Sequence, residues 1–359
     1  MSLVSALDQA RWSLQARRTR RRAAAAAATA AGLLLVTGCH VPLTSGSPAS
    51  GPTASGTVTV VAPPGVADAP LYIGIKDGFF SSVGLHVRVV PSPSVKAALA
   101  ALRSGHANVA FGDYADMFYA QEQKPSPHQS APHLLVIADG YDAGPNVVEI
   151  LTLPGTNITS PSALPGERIG TAAAQEMPVK GPGPQGGPRP FSTETVAAWS
   201  VLTGENVDPS KIRWIPTRSS LLTALETHQV DAILATEPTI FEAESKLGAV
   251  PVLDAATGAT ANLPLAGYFT NSTYASQHAD VVTAFRAALE RAQAEGTMAA
   301  PVQSTLTKEA GLNPQAAALV TVGEYPTTLS ALNMQRVADL MFSFNALPNP
   351  LTVSSMVAK

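Results

Sequence analysis

Short apolar runs alternate with amphipathic runs along most of the chain, beginning near residue 57. The apolar run Thr57–Ala62 and the alternating run His86–Val90 predict strands, and Ala107–Phe111 predicts a short buried strand that leads into Gly-Asp-Tyr. Between the last two, Ser94–Ser104 carries apolar residues at helical spacing and is followed by Gly105, a typical helix end. Strands and helices in this order predict a parallel sheet with helices on its faces.

The same alternation continues beyond this stretch and predicts a second lobe. Val147–Leu153 predicts a strand that crosses to that lobe, a helix is expected to begin at Ser192 or Thr193, and Leu263–Thr270 predicts the strand that returns. We therefore predict an α/β clamshell of two βαβ lobes with two crossover strands. Lobe 1 would comprise residues 57–147 plus 265–359, and lobe 2 would comprise residues 148–264.

A binding crevice is expected between the lobes, because ligands of open α/β sheets bind where the carboxyl ends of the strands face a crevice. The candidate ligand-binding residues are therefore those that follow predicted strands or begin the next helix. They are Asp68, Ala69, Gly112, Asp113, Tyr114, Tyr141 and Asp142 in lobe 1, Thr171, Ser192, Thr193, Thr236 and Glu237 in lobe 2, and Tyr268 near the return crossing.

Several of these residues also have an ordinary structural interpretation, which the sequence leaves open. Asp113 and Thr193 could cap helices, and Glu237, which precedes a proline, could be a hinge or capping residue. Tyr114 and Tyr141 could be core or rim aromatics. The nearby cations that could bind an anion are Arg189 and Arg218, and each could equally be a solvated surface residue.

The segment 171–191 is rich in glycine and proline and cannot form a regular helix or a central strand. It could be a lid that covers the ligand or a surface insertion. The sequence does not distinguish these two possibilities.

The N-terminal residues 1–38 have the pattern of an export signal. Six arginines fall within Arg11–Arg22, the uncharged apolar run Ala23–Thr37 follows, and the segment ends Gly38-Cys39. This ending resembles a bacterial lipobox, so Cys39 is the predicted lipidation site and residues 39–56 a flexible linker. Export could use the general secretory or the twin-arginine route.

Composition and motif content argue against nucleic-acid binding and against several kinds of catalytic and metal site. The net charge is −3, and residues 1–38 carry six arginines and one aspartate, so the rest of the chain carries −8. An acidic body argues against nucleic acid as a partner. The single cysteine permits no internal disulfide and no cysteine-based metal site, and the chain has neither a G-x-S-x-G nor an H-E-x-x-H motif. We predict no catalytic residues, no metal and no cofactor.

Several segments together resemble the SsuA/THI5-like (NMT1) family of substrate-binding lipoproteins of ABC transporters. They are Ala69-Pro70-Leu71-Tyr72, Gly78-Phe79-Phe80, Gly84-Leu85, 102–113 and 221–237. The resemblance extends from about residue 57 to about residue 347. Asn108 stands where the family usually has Asp, and Gln229 where it usually has Gly.

This resemblance implies a periplasmic-binding-protein type II fold and a role in import. The chain would be exported, anchored by lipid alone to the outer face of a bacterial cytoplasmic membrane, and monomeric. It would deliver a small organic nutrient to an ABC permease with its ATPase. Family members bind sulfonates, nitrate or thiamine pyrimidines, and a site rich in Tyr, Asp and Glu favours a neutral or cationic heteroaromatic ligand over an inorganic anion. The alternatives are a lipoprotein that presents its ligand to a sensor and a THI5-like pyrimidine-synthesis enzyme, whose cysteine-rich motif this chain lacks.

Overall fold

The computed structural model of the chain describes residues 54–92, 94–122, 133–172, 176–177, 189–217 and 220–358. The predicted export signal, Cys39 and most of the linker lie outside the described residues. So does most of the segment 171–191, together with Arg218 and the side chain of Arg189.

Strands and helices alternate as the hydrophobic pattern predicts. The strands are β1 (Gly56–Val61), β2 (Leu85–Val90), β3 (Val109–Asp113), β4 (Leu134–Asp142), β5 (Val148–Thr152), β6 (Arg168–Thr171), β7 (Glu176–Met177), β8 (Arg189–Pro190), β9 (Arg213–Pro216), β10 (Ala232–Thr236), β11 (Val250–Asp254) and β12 (Pro264–Asn271).

The helices lie between and after these strands. They are α1 (Ala69–Lys76), α2 (Phe79–Ser82), α3 (Val95–Ser104), α4 (Tyr114–Glu122), α5 (Thr193–Gly204), α6 (Leu221–Glu226), α7 (Thr239–Leu247), α8 (Ser272–Gln277), α9 (Ala279–Glu295), α10 (Ala299–Lys308), α11 (Pro314–Leu319) and α12 (Ala331–Ser343). None of the helices in the described ranges is long and apolar enough to cross a membrane.

The first sheet has five strands in the order β2-β1-β3-β12-β4. Strand β1 pairs in parallel with β2 and β3, whereas β12 runs antiparallel to both β3 and β4. This sheet is therefore mixed and not wholly parallel, because β12 comes back from the second sheet and enters from the opposite end. The return strand predicted at Leu263–Thr270 is confirmed as β12.

The second sheet also has five strands, in the order β11-β5-β10-β6-β9. Strand β6 pairs in parallel with both β10 and β9. Strand β5 runs antiparallel to both of its neighbours, β10 and β11. The chain passes from the first sheet to the second between β4 and β5 and returns between β11 and β12. The prediction of an α/β fold with two crossings between two sheets is confirmed.

Local capping explains where helices α3 and α5 begin. Ser94 accepts a hydrogen bond from the Ala97 amide and caps α3, and Gly105 ends that helix with a φ of 74°. Ser192 accepts one from the Thr195 amide and caps α5, as the sequence predicts. The N-terminal turns of both helices are thereby fixed beside strand ends.

Candidate functional site

A cleft of about 400 Å³ lies where the ends of strands from both sheets meet. Volumes of this size are typical of sites for small organic ligands. The first sheet and its helices contribute the lining residues Pro63, Ser92, Ser94, Val95, Ala98, Phe111, Gly112, Asp113, Asp116 and Ala266. The second sheet and its helices contribute Thr171, Ala172, Ser192, Glu194, Leu221, Leu234, Ala235, Thr236 and Thr239.

Asp113 stands at the end of β3 and joins the two sides of the cleft. Its Oδ1 accepts a hydrogen bond of 3.0 Å from the Asp116 amide in the first turn of α4. Its Oδ2 accepts a hydrogen bond of 3.0 Å from the Thr193 amide at the start of α5. The carboxylate therefore caps α4 and, at the same time, occupies the N-terminal end of α5.

Three carboxyl groups line the cleft close together, those of Asp113, Asp116 and Glu194. Burial, together with the charge of Glu194, raises the pKa of Asp116 to about 7. Burial and the nearby charges of Glu194 and Asp116 raise the pKa of Asp113 well above its usual range. The cleft is thus a region where added negative charge is unfavourable.

Two residues that line the cleft each have a buried polar atom without a hydrogen-bond partner among the described residues. These atoms are Oδ1 of Asp116, a residue only 8% exposed, and Oγ1 of Thr171, which is 1% exposed. A buried polar atom without a partner costs about 1–3 kcal/mol, more if it is charged. A bound ligand that satisfies these atoms would recover that cost.

The described lining residues include no lysine, arginine or histidine. Nor does the described part of the chain contain a group of three His, Cys, Asp or Glu side chains that could hold a metal ion. The arrangement is suited to hydrogen-bond donors in a ligand, presented beside an apolar surface.

Five of the thirteen predicted ligand-binding residues line this cleft: Gly112, Asp113, Thr171, Ser192 and Thr236. Thr193 lies beside it, where its amide contacts Asp113 and its Oγ1 accepts a 3.0 Å hydrogen bond from the Ala115 amide. A Cβ at Gly112 would come within 2.6 Å of Cε of Met117, so the flexible end of that side chain would have to shift.

The predicted tyrosines lie in the core and not on the cleft. Tyr114 is wholly buried and donates a 2.7 Å hydrogen bond to Oδ1 of Asp139. The Tyr141 hydroxyl accepts a 2.7 Å hydrogen bond from the Gly323 amide. Tyr268 is 1% exposed and packs against Phe111 and Phe285.

The remaining predicted residues are occupied elsewhere. Asp68 is buried and accepts a 2.8 Å hydrogen bond from the Gly65 amide, and Ala69 is the buried first residue of α1. Asp142 is buried where the chain leaves β4, bridged through its backbone to Glu324. The Glu237 carboxylate accepts hydrogen bonds from the Thr321 and Phe241 amides, at 2.9 and 3.0 Å.

Sequence reasoning did not identify Asp116 and Glu194, although both were detectable. Each lies in the first turn of a helix that begins beside the cleft, and Asp116 follows Asp113 by three residues. Ser92 and Ser94 lie between β2 and α3, where they follow a strand end directly. The first turn of a helix that begins beside the cleft is the signal that would have identified Asp116 and Glu194.

A second cavity of about 540 Å³ lies beside α10 and α11 and is lined by residues such as Val302, Gln303, Ala317 and Tyr325. Its lining residues do not come from the ends of the parallel strands, and they include neither Asp116 nor Thr171, whose buried polar atoms lack hydrogen-bond partners. The cleft between the sheets is therefore the better candidate site.

The family model described as NMT1/THI5 like matches residues 67–180 and 186–304, well over half of the chain. No curated protein sequence matches the chain.

Solved structures with the same fold include several binding proteins. The alkanesulfonate-binding protein SsuA from Xanthomonas axonopodis pv. citri, bound to MOPS, has a TM-score of 0.64 and 18% identity, over 85% of this chain and 99% of that one. A zinc-bound ligand-binding component of an ABC-type import system from Staphylococcus aureus has a TM-score of 0.66 and 15% identity, over 84% and 96%. The nitrate-binding protein NrtA from Synechocystis PCC 6803 has a TM-score of 0.63 and 11% identity, over 84% of both chains. These likenesses confirm the two-lobed periplasmic-binding-protein type II fold.

Proposed function

Because the chain belongs to the NMT1/THI5-like family, we propose that it is an extracytoplasmic solute-binding protein of an ABC importer that captures a small organic nutrient. The observation that carries this proposal is the cleft, which is lined by strand ends and helix N-termini from both sheets. The solved structures named above are binding proteins and share the fold, which supports binding over catalysis.

The proposed mechanism uses the two sheets as the halves of a clamshell. The two crossings act as a hinge, and a ligand that contacts both halves favours the closed state through its higher affinity for that state. The closed form then docks on a permease, which opens it and accepts the ligand. The chain breaks no bond in this cycle, and a separate ATPase hydrolyses ATP.

Membrane attachment through Cys39 forms part of the proposal. A lipid on this cysteine, followed by the uncharged linker, would hold the folded body at the outer face of the cytoplasmic membrane. Replacing Cys39 with Ala is expected to release the protein into the medium or leave it unprocessed. A processed Cys39→Ala protein that stays in the membrane fraction would contradict lipid attachment.

A thermal-shift screen of the purified protein tests the binding function. The panel contains sulfonates, taurine, nitrate, thiamine pyrimidines, riboflavin and nucleobases. A ligand present at about 100 times its Kd stabilises the folded state by roughly 2.7 kcal/mol, which is readily measured.

A pair of variants locates the site of any ligand found. Thr239→Trp is expected to obstruct the cleft and abolish binding, whereas Gln303→Trp fills the second cavity and should leave binding intact. The opposite result would place the ligand in the second cavity. A protein that binds no member of the panel would count against the importer role.

A further inference from the structure

We propose that the cleft selects an organic cation, a small ligand whose positively charged nitrogen carries N–H groups and is attached to an apolar body. This inference rests on the proposed binding function and specifies its ligand class. Ammonium, amidinium and protonated aminoheterocyclic compounds belong to this class.

The first argument is the unsatisfied carboxyl group of Asp116. Its Oδ1 is buried in the wall of the cleft and accepts no hydrogen bond. A carboxylate oxygen requires a donor, and a donor with positive charge gives the strongest hydrogen bond. Thr171, whose buried hydroxyl also lacks a partner, offers a second polar contact from the other sheet.

The second argument is the sign of the charge. Asp113, Asp116 and Glu194 all line the cleft, while the ion pairs found among the described residues, such as Arg168–Asp231, do not involve them. Each of these carboxyl groups, when ionised, repels an anionic ligand and attracts a cation, and a bound cation in turn favours the ionised form of its carboxyl partner.

The third argument concerns the helix end that an anion could otherwise use. Backbone N–H groups at a helix N-terminus commonly bind anions. At α5, however, the Thr193 amide already donates to Asp113, and the Thr195 amide donates to Ser192. The protein's own carboxylate therefore takes the place that a sulfonate or nitrate would need.

The apolar part of the lining indicates that the cation is organic. Val95, Ala98 and Phe111 on one side and Leu221 and Leu234 on the other provide surface for an apolar body. A bare metal ion would leave that surface unused.

Three matched series of probes test the charge preference by thermal shift and calorimetry. They are benzamidinium, benzamide and benzenesulfonate; butylammonium, butanol and butanesulfonate; and 4-aminopyridinium, pyridine and pyridine-4-sulfonate. In at least one series the cation should bind at least tenfold more tightly than its neutral counterpart, and the sulfonate should not bind.

Two variants connect that preference to the named carboxyl group. Asp116→Asn is expected to weaken binding of the cation by about tenfold and to leave the neutral compound nearly unchanged. The control is Asp280→Asn, which removes the same charge from the exposed first turn of α9 and should change neither affinity. Equal losses in both variants would indicate only a bulk charge effect and would overturn the proposal.

The pH dependence of binding provides an independent test. The titratable groups that face Asp116 are Asp113 and Glu194. Since the pKa of Asp116 is raised to about 7, its ionised fraction increases about tenfold between pH 6 and pH 8. Affinity for benzamidinium, which keeps its charge in this range, should therefore increase with pH. Affinity for benzamidinium that stays constant or increases as the pH falls would show that an ionised Asp116 is not the partner of the cation and would overturn the proposal.

The outcomes separate this inference from the proposed function. Binding by the sulfonates or the neutral compounds alone, lost in Thr239→Trp, would overturn the cation preference and leave the binding function intact. A protein that binds none of the three series, and no member of the wider nutrient panel, would overturn both.

Discussion

Two hydrogen bonds connect the end of β3 and the start of α4 to Thr193, the first residue of α5, and Asp113 accepts one of them. The Thr193 amide donates to Oδ2 of Asp113, and Oγ1 of Thr193 accepts a hydrogen bond from the Ala115 amide, both at 3.0 Å. One residue ends a strand of the first sheet, and the other begins the helix that leads into the second. This pair therefore links the two halves at the place where a ligand would bind.

Asp113→Ala is expected to lower the free energy of unfolding by about 1–3 kcal/mol, because it removes the cap of α4 and the acceptor for the Thr193 amide. Urea denaturation measures this loss. Thr193→Val keeps the amide donor but removes the hydroxyl acceptor, so its loss should be smaller.

The double variant should lose less than the sum of the two single losses, because the two contacts share one interface. Strict additivity would show that the two residues act independently. A stable Asp113→Ala protein that no longer binds ligand would instead assign Asp113 to direct ligand contact.

Tyr141→Phe is expected to reduce stability by about 1 kcal/mol without changing ligand affinity. The substitution removes the hydroxyl that accepts from the Gly323 amide, while the ring stays packed against Tyr325 at 5.4 Å between centroids. Denaturation and calorimetry on the same preparation separate the two effects. Weaker binding at unchanged stability would restore Tyr141 as a ligand-binding residue.

Gly267→Ala is expected to destabilise the protein by about 1–3 kcal/mol through overpacking. A Cβ at this position in β12 would lie 2.7 Å from Cζ of Tyr114 and 3.1 Å from the Ala138 carbonyl oxygen. Gly204→Ala, at the end of α5, is the control, since a Cβ there meets nothing within 4 Å. Equal stability of the two variants would contradict this account of the close approach at β12.

The fold could be predicted from the sequence because each element carries its own local signal. The caps at Ser94 and Ser192 and the left-handed Gly105 mark helix ends without help from tertiary structure. The antiparallel direction of β12 could not be predicted in the same way, since it depends on which end of the first sheet the returning chain enters.

The site was predicted less completely, for a physical reason that the tyrosines illustrate. Tyr114 follows the strand end directly, yet its ring turns inward against Phe118 and Phe269, with centroids 5.5 Å away in each case. Asp116, two residues later, lines the cleft. The direction in which each side chain of the first turn points depends on how α4 packs, which sequence position alone does not determine.

Buried carboxyl groups away from the cleft should make the protein less stable at alkaline pH, and Asp68 is the clearest case. Burial raises the pKa of Asp68 to about 8 from its ordinary value of 3.8, even though the Gly65 amide donates to Oδ1. Oδ2 of Asp68 has no partner. The folded state therefore holds a proton that the unfolded chain releases near pH 4, so the associated stability is present below that pH and is lost as the pH rises towards 8.

Asp68→Asn should reduce this pH dependence, because the amide has a similar shape and carries no charge. The free energy of unfolding of the unmodified protein should fall between pH 5 and pH 8, and the variant should be the more stable of the two at pH 8. One pKa unit corresponds to about 1.4 kcal/mol, so a difference of a few kcal/mol is expected. Asp77→Asn, at the exposed C-terminal end of the same helix, is the control and should leave the slope unchanged. An Asp68→Asn protein that keeps the slope and is less stable at every pH would show instead that the ionised carboxylate is required for folding.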